Sequence, residues 1–217
     1  MTRTPAVEGE EASIPLDGAG EVKLRVKHGA GQFRLSAGAA PDQVLSGTFG
    51  GGLEKGVKRE GSRLDITLKP SRGAFPDFLF PWTWTMGGGF DWSLKINKEI
   101  PLFFDLEAGA GGATLDFSHL NLKYLQIETG VSSTTLTLPE RAGHTNVKIE
   151  AGVASVSVRI PENAAARIET EGGLAFIDVN KDRFPQQGGL YISDGYETAE
   201  NKIEMKIETG LGSIKVQ

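Results

Sequence analysis

Five glutamates recur at nearly even intervals, each in an alternating apolar-polar stretch that ends in glycine. They are Glu107, Glu128, Glu150, Glu169 and Glu208, separated by 21, 22, 19 and 39 residues. Two residues before them stand Asp105, Gln126, Lys148, Arg167 and Lys206. On parallel stacked strands both sets would form outward rows, in which neighbouring carboxylates raise each other's pKa and the second row supplies opposite charge. Such a face could bind cations or carbohydrate, but the pattern favours a solvent-exposed face with weak surface ion pairs.

Residue patterns for catalysis and metal binding are sparse. The chain has no cysteine, which excludes disulfides, thiolate nucleophiles and cysteine-ligated zinc or iron–sulfur sites. The three histidines, His28, His119 and His144, are far apart, and none has the spacing of a zinc motif such as HExxH. Glycine-rich stretches such as 109–112 precede no helical pattern, so they indicate strand corners and not phosphate-binding loops. We therefore predict no enzyme activity, no catalytic residue, no metal site and no cofactor.

One segment is rich in aromatic residues. Residues 70–92 hold all three tryptophans and seven of the chain's 17 aromatic residues. Such a cluster either caps an open end of the fold or forms an exposed patch for a protein partner or a bilayer interface. The candidate partner-binding residues, with Trp82 and Trp84 as anchors, are Phe78, Phe80, Trp82, Trp84 and Phe90.

Composition excludes some partners. The formal net charge of −5 leaves no broad basic face for nucleic acid. Residues 1–16 lack the charged and apolar regions of a signal peptide, and no run of about 18 apolar residues exists. The sequence therefore predicts neither a secretion signal nor a membrane-spanning segment, and it leaves the compartment open.

The elements that must position these residues repeat with a period near 20. Apolar and polar residues alternate on both sides of a glycine, as Leu125 and Ile127 do before Gly130 and Leu136 does after it. The glycines permit positive φ at a corner between two strands. The pattern predicts an all-β fold, a right-handed parallel β-solenoid of two-strand coils with irregular N-terminal coils and an aromatic-rich insert.

The chain is expected to form one domain. We predict a flexible N-terminal arm over residues 1–20 and a single solenoid domain over residues 21–217. Within the irregular part, the strand candidates are 44–49, 63–69 and 92–97.

The last coil resembles the first. Residues 203–216 align without gaps to residues 22–35, and the sequence ends one residue later. This predicts a bare terminal coil whose unpaired backbone groups need cover. The N-terminal arm, the aromatic segment or a second protomer could supply that cover.

The closing segment GLYISDGYETAENKIEMKIETGLGSIKV (189–216) resembles that of bacterial toast-rack domains, and the repeats at 106–139 and 147–161 are similar to the glycine-corner repeats of the same family. The resemblance covers roughly residues 20–217. Such domains form the soluble C-terminal part of LiaF-type cell-wall-active-antibiotic response proteins and of related adhesin-like proteins. The resemblance implies a β-solenoid without assigned catalytic residues. For LiaF-type members it implies envelope-stress sensing, in which partner proteins are bound and a sensor kinase is restrained.

These features favour a non-catalytic protein-interaction or scaffold module, in bacterial envelope-stress regulation or at the cell surface. A self-assembling structural protein that associates through exposed solenoid ends stays open as an alternative. A carbohydrate-active β-helix enzyme is a remote alternative, because the outward-facing positions remain regular.

Overall fold

The computed structural model describes residues 9–71 and 90–217. Within them the chain forms six strands of 15–17 residues, seven shorter strands and one 3₁₀ turn at Tyr196–Thr198, and no α-helix. The long strands are β2 (Glu21–Ala37), β7 (Leu102–Asp116), β8 (Leu122–Thr137), β9 (His144–Arg159), β10 (Ala165–Val179) and β13 (Lys202–Val216). The short strands are β1 (Glu10–Pro15), β3 (Gln43–Phe49), β4 (Leu53–Glu60), β5 (Arg63–Pro70), β6 (Trp92–Ile96), β11 (Gln186–Gln187) and β12 (Leu190–Ile192). The predicted all-β class is confirmed.

Each long strand spans a region that the sequence pattern divided into two strands. In β8, Ile127 and Thr129 are buried before the glycine, and Thr134 and Leu136 are buried after it. The inward-facing positions thus change from odd to even numbers at Gly130. Because of this change of phase, the apolar side chains on both halves of the strand face one hydrophobic core. We call this position in each long strand the glycine corner.

The long strands are parallel and lie side by side in the order β2–β7–β8–β9–β13–β10. The last strand along the chain, β13, therefore pairs with both β9 and β10. The predicted bare terminal coil is wrong, since both edges of β13 are occupied. Ile127, Ile149 and Ile207 lie in register, whereas Ile168 pairs with Met205.

Glycine is required for a steric reason at the corner of every long strand except β2. A Cβ on Gly109 would lie 2.4 Å from the carbonyl oxygen of Gly29, and a Cβ on Gly152 would lie 2.9 Å from that of Gly130. The same approach recurs between all neighbouring corner glycines, which in strand order are Gly29, Gly109, Gly130, Gly152, Gly210 and Gly173. The expected positive φ occurs two residues later instead, as at Gly111 with φ 132°.

The N-terminal strands cover the other edge of β2. β5 pairs with its first half, where Val22 faces Leu64, and β6 pairs with its second half, where Phe33 faces Trp92. β4 forms a hairpin with β5, and β6 continues through antiparallel pairing to β3 and β1. The three strand candidates correspond to β3, β5 and β6. Glu10–Pro15, which we expected in a flexible arm, instead forms β1 on β3.

The segment between β10 and β13 crosses the outer edge of β10. β12 pairs antiparallel with residues 167–169, and β11 pairs with β12. The Arg183 guanidinium donates hydrogen bonds to the carbonyls of Ile160 and Pro161. This cover stops at the first half of β10. Among the described residues, only β13 pairs with the second half, from Leu174 to Val179.

Candidate functional site

The outer face of the glycine corners carries a groove of about 1110 Å³ that crosses all six long strands. The corner glycines line it with backbone where other residues would place side chains. Lys69 and Pro70 of β5 line its β2 end. Two positions before the glycines runs a charged row, which in strand order is Lys27, Glu107, Glu128, Glu150, Glu208 and Glu171. We call this surface the glutamate groove.

One member of the predicted glutamate row is corrected by the register of β10. Glu171 pairs with Glu208, the place predicted for Glu169, and Glu169 moves to the second row in place of Arg167. The cause is a double glycine, because Gly173 and not Gly172 makes the close approach to the carbonyl of Gly210. The repeat in β10 is therefore displaced by two residues from the spacing in the sequence.

Lysine and amide side chains at neighbouring positions form ion pairs or hydrogen bonds with the glutamates of β7, β8 and β9. The second row, in strand order, is Arg25, Asp105, Gln126, Lys148, Lys206 and Glu169. The pairs are Lys27–Glu107 at 2.7 Å, Gln126–Glu128 at 2.6 Å, and Lys148–Glu150. The partners explain how a row of like charges is tolerated on adjacent strands.

Lys206, in the second row beside the groove, makes more ion pairs than the other cations of the two rows. Its Nζ lies 2.9 Å from Glu208, 3.1 Å from Glu171 and 3.9 Å from Glu169. The hydrogen bond and charge of Lys206 lower the pKa of Glu208, and hydrogen bonds to Glu208 and Glu171 raise the pKa of Lys206. The expectation that carboxylate repulsion raises the pKa is therefore wrong at Glu208, because the attractive partner is closer.

The groove is acidic but shows no metal-binding geometry. Its two rows together hold seven acidic and four basic side chains. Within residues 9–71 and 90–217, no three His, Asp or Glu side chains are placed to hold a metal ion. The arrangement can attract basic groups through weak, solvent-exposed electrostatics.

The three histidines lie apart, and one of them is buried. His144 is on β9 and His119 is in the turn after β7, whereas His28 on β2 is only 4% exposed. The His28 ring contacts Phe33 and Trp92, each at a centroid distance of 5.5 Å. Its Nε2 donates a hydrogen bond to the carbonyl of residue 90 at 2.9 Å. His28 is therefore a core residue, packed at the end of the core where β2 lies.

We expect His28 to make the free energy of unfolding decrease as the pH falls below about 6.5. Burial is the largest influence and lowers the pKa of His28 from 6.5, while the carbonyl of Phe90 and the Asp91 carboxylate oppose it. The unfolded chain therefore binds more protons than the folded chain between the lowered pKa and 6.5, and acid favours unfolding in that window.

Urea unfolding at a series of pH values checks this expectation. His28→Thr should lose part of the pH slope, because threonine stands at the same position in β8 and β13. His119→Gln is the matched control and should keep the slope. Identical slopes for the three proteins would contradict the assignment.

The predicted aromatic site can be followed only in part. Phe78, Phe80, Trp82 and Trp84 lie outside the described residues. Phe90 is half-buried, and its backbone carbonyl accepts the hydrogen bond from His28. A partner-binding role for these five residues stays a prediction.

A row of exposed aliphatic side chains, which the sequence patterns did not predict, lies directly after the corner glycines. On adjacent strands these are Val131, Val153, Leu211 and Leu174, with exposed fractions of 61%, 48%, 46% and 82%. At β2 and β7 the same position holds Ala30 and Ala110. The sequence feature that could have indicated this row is the recurrence of Val or Leu immediately after a corner glycine in four repeats. We call these four residues the aliphatic row.

A comparison with protein families identifies the chain's relatives. The family model described as "N-terminal domain of toast_rack, DUF2154" matches residues 3–159. The chain belongs to this toast-rack family. The match includes β1 to β9 and ends before the closing segment 189–216, where the resemblance was most specific.

The toast-rack fold is also found in a solved structure. It is described as a "putative cell adhesion protein" from Clostridium sporogenes, with a TM-score of 0.82 and 23% sequence identity over 96% of this chain and 98% of that chain. This likeness shows the fold. No curated protein matches the chain. In the described part of the chain, no helix combines the length and apolar character needed to cross a membrane.

Proposed function

We propose that this toast-rack chain is a non-catalytic protein-binding module whose contact surface is the aliphatic row together with the glutamate groove. The observation that carries the proposal is where the exposed apolar side chains lie. Of six large exposed hydrophobic residues in the described ranges, five lie on β8, β9, β13 and β10 next to the glycine corners. The sixth, Val57, is on β4. Contiguous exposed apolar residues mark contact surfaces, whereas single ones are ordinary.

The chemistry of the surface indicates the kind of partner. Aliphatic side chains would contact the aliphatic row, and basic side chains would contact the acidic rows beside it. The six strands span about 24 Å, which matches about seven residues of an extended segment. The best fit is therefore an extended protein segment with alternating aliphatic and basic residues. Its binding should weaken as the salt concentration rises.

The aromatic segment would extend this surface at one end. Pro70 lines the β2 end of the groove, and Phe90 contacts His28, which also lines it. Both described flanks of the segment are thus beside the groove. This placement supports Trp82 and Trp84 as additional anchors for the same partner.

The setting that we propose is the bacterial envelope or cell surface, as a scaffold or a regulator of envelope stress. Toast-rack membership supports it, and so does the fold shared with the Clostridium protein. A rigid stack suits this role, because parallel ladders fix the spacing of the exposed rows. We infer that the crossovers of the stack are right-handed.

Affinity capture from a bacterial envelope extract tests the function. The double variant Val131→Asp/Val153→Asp should reduce capture of specific partners at least about tenfold, since it places two charges within an apolar contact. Val57→Asp is the matched control, because Val57 is 50% exposed but lies on β4. Equal capture by the double variant and the wild type would refute the surface. Loss only in Trp82→Ala/Trp84→Ala would move the site to the aromatic segment.

A further inference from the structure

Phe176 breaks a polar row on the outer face of the sheet. The residues in register with it on the other long strands are Gln32, Gly112, Ser133, Ser155 and Ser213. Phe176 is 72% exposed, and Leu174 on the same face of β10 is 82% exposed. The one large apolar residue of this row thus lies on β10, whose outer edge is unpaired over its second half within residues 9–71 and 90–217.

Among the described residues, the second half of β10 has an outer edge that no other strand pairs with. The backbone N–H of Asn180 donates to the carbonyl of Val216, so strand alternation directs the backbone groups of Ala175 and Ile177 away from β13. In the described ranges no strand pairs with them on that side. Residues 174–177 contain no charge and no proline, which natural edges use to prevent pairing.

We propose that a second copy of this chain pairs with this edge, β10 against β10 in antiparallel orientation about a two-fold axis. With Ala175 on the axis, Leu174 lies opposite the partner's Phe176, and Asp178 lies opposite the partner's Gly172. The two-fold axis creates two apolar cross-strand pairs on one face. Over residues 172–178, which would form the paired stretch, no charge then faces an apolar side chain or a like charge.

A different register fits less well. If Phe176 were on the axis, Leu174 would lie opposite the partner's Asp178, which places a carboxylate against an aliphatic side chain. The Ala175-centred register avoids this contact. It also pairs Ala175 with the partner's Ala175, where the backbone groups of both copies point at each other.

The sequence of this edge is self-complementary about Ala175, which supports a second copy as its occupant. A two-fold contact also uses the same edge on both copies, so the result is a closed dimer and not a fibre.

Sedimentation velocity from about 1 to about 500 µM tests the dimer. The wild type should show a monomer–dimer equilibrium. Phe176→Asp and Leu174→Lys should each raise the dissociation constant at least about tenfold, because each places a charge opposite an apolar side chain. Both side chains are exposed, so both variants should fold, and circular dichroism confirms this.

Mixing the two variants tests the register. In a mixed dimer the introduced lysine faces the introduced aspartate, while the remaining Phe176 and Leu174 still face each other, so association should return. Val131→Asp is the control and should dimerise like the wild type.

A monomeric wild type at the highest concentration, failure of the mixture to associate, or equal loss of dimer in Val131→Asp would overturn the proposal. Val131→Asp/Val153→Asp measures partner capture separately, so the two proposals can fail independently.

Discussion

Gly109→Ala should lower the free energy of unfolding by at least about 3 kcal/mol, while Gly29→Ala should change it by less than about 0.5 kcal/mol. The two glycines occupy equivalent corners on adjacent strands. A Cβ on Gly109 would lie 2.4 Å from the carbonyl oxygen of Gly29, and that oxygen belongs to a strand that β5, β6 and β7 hold in place. No described atom lies within 4 Å of a Cβ on Gly29.

Urea denaturation followed by circular dichroism measures the difference between the two alanine variants. Because side chain and local sequence are matched, helix or strand propensity cannot account for unequal effects. Equal destabilisation by both substitutions would show that the close approach between corner glycines does not limit the fold.

A chain that ends at Asn201 should fail to fold cooperatively. It lacks β13, and therefore leaves β9 and β10 without the strand that joins them. The truncation removes five buried apolar side chains, namely Ile203, Met205, Ile207, Ile214 and Val216. Each contributes roughly 1.5–3 kcal/mol, so their sum is comparable to the whole stability of a typical domain, about 5–15 kcal/mol.

A peptide of residues 202–217 should restore folding when it is added to the truncated chain. The peptide can form both parallel ladders without a covalent link, since its contacts with β9 and β10 are those of β13. Thermal unfolding and hydrogen exchange at β9 and β10 report the result. A peptide with Ile207→Asp is the control and should not bind. A truncated chain with a wild-type melting curve would contradict the central role of β13.

The strands themselves could be predicted from the sequence because alternation is a local property. Each long strand carries it, and β3, β5 and β6 carry it within the irregular part. Strand order could not be predicted in the same way. The patterns around Ile149, Ile168 and Ile207 are nearly the same, and nothing in alternation records which strand lies beside which.

The candidate surface was also only partly predictable. The glutamates were placed correctly in four of five positions, and the fifth failed because Gly172 and Gly173 offered two choices of corner. The aliphatic row was missed because exposure depends on tertiary packing. Val131 and Leu136 look equally apolar in the sequence, yet only Leu136 is buried.

The position of β13 between β9 and β10 also affects synthesis on the ribosome. β2, β7, β8 and β9 can stack in the order in which they emerge, but β10 emerges before the strand that attaches it to β9. In a nascent chain, the edge of β9 that will pair with β13 must therefore stay unpaired until residues 202–216 leave the exit tunnel. If the ribosome stalls before that point, the partly folded chain should expose unpaired strand edges and apolar side chains, which chaperones recognise.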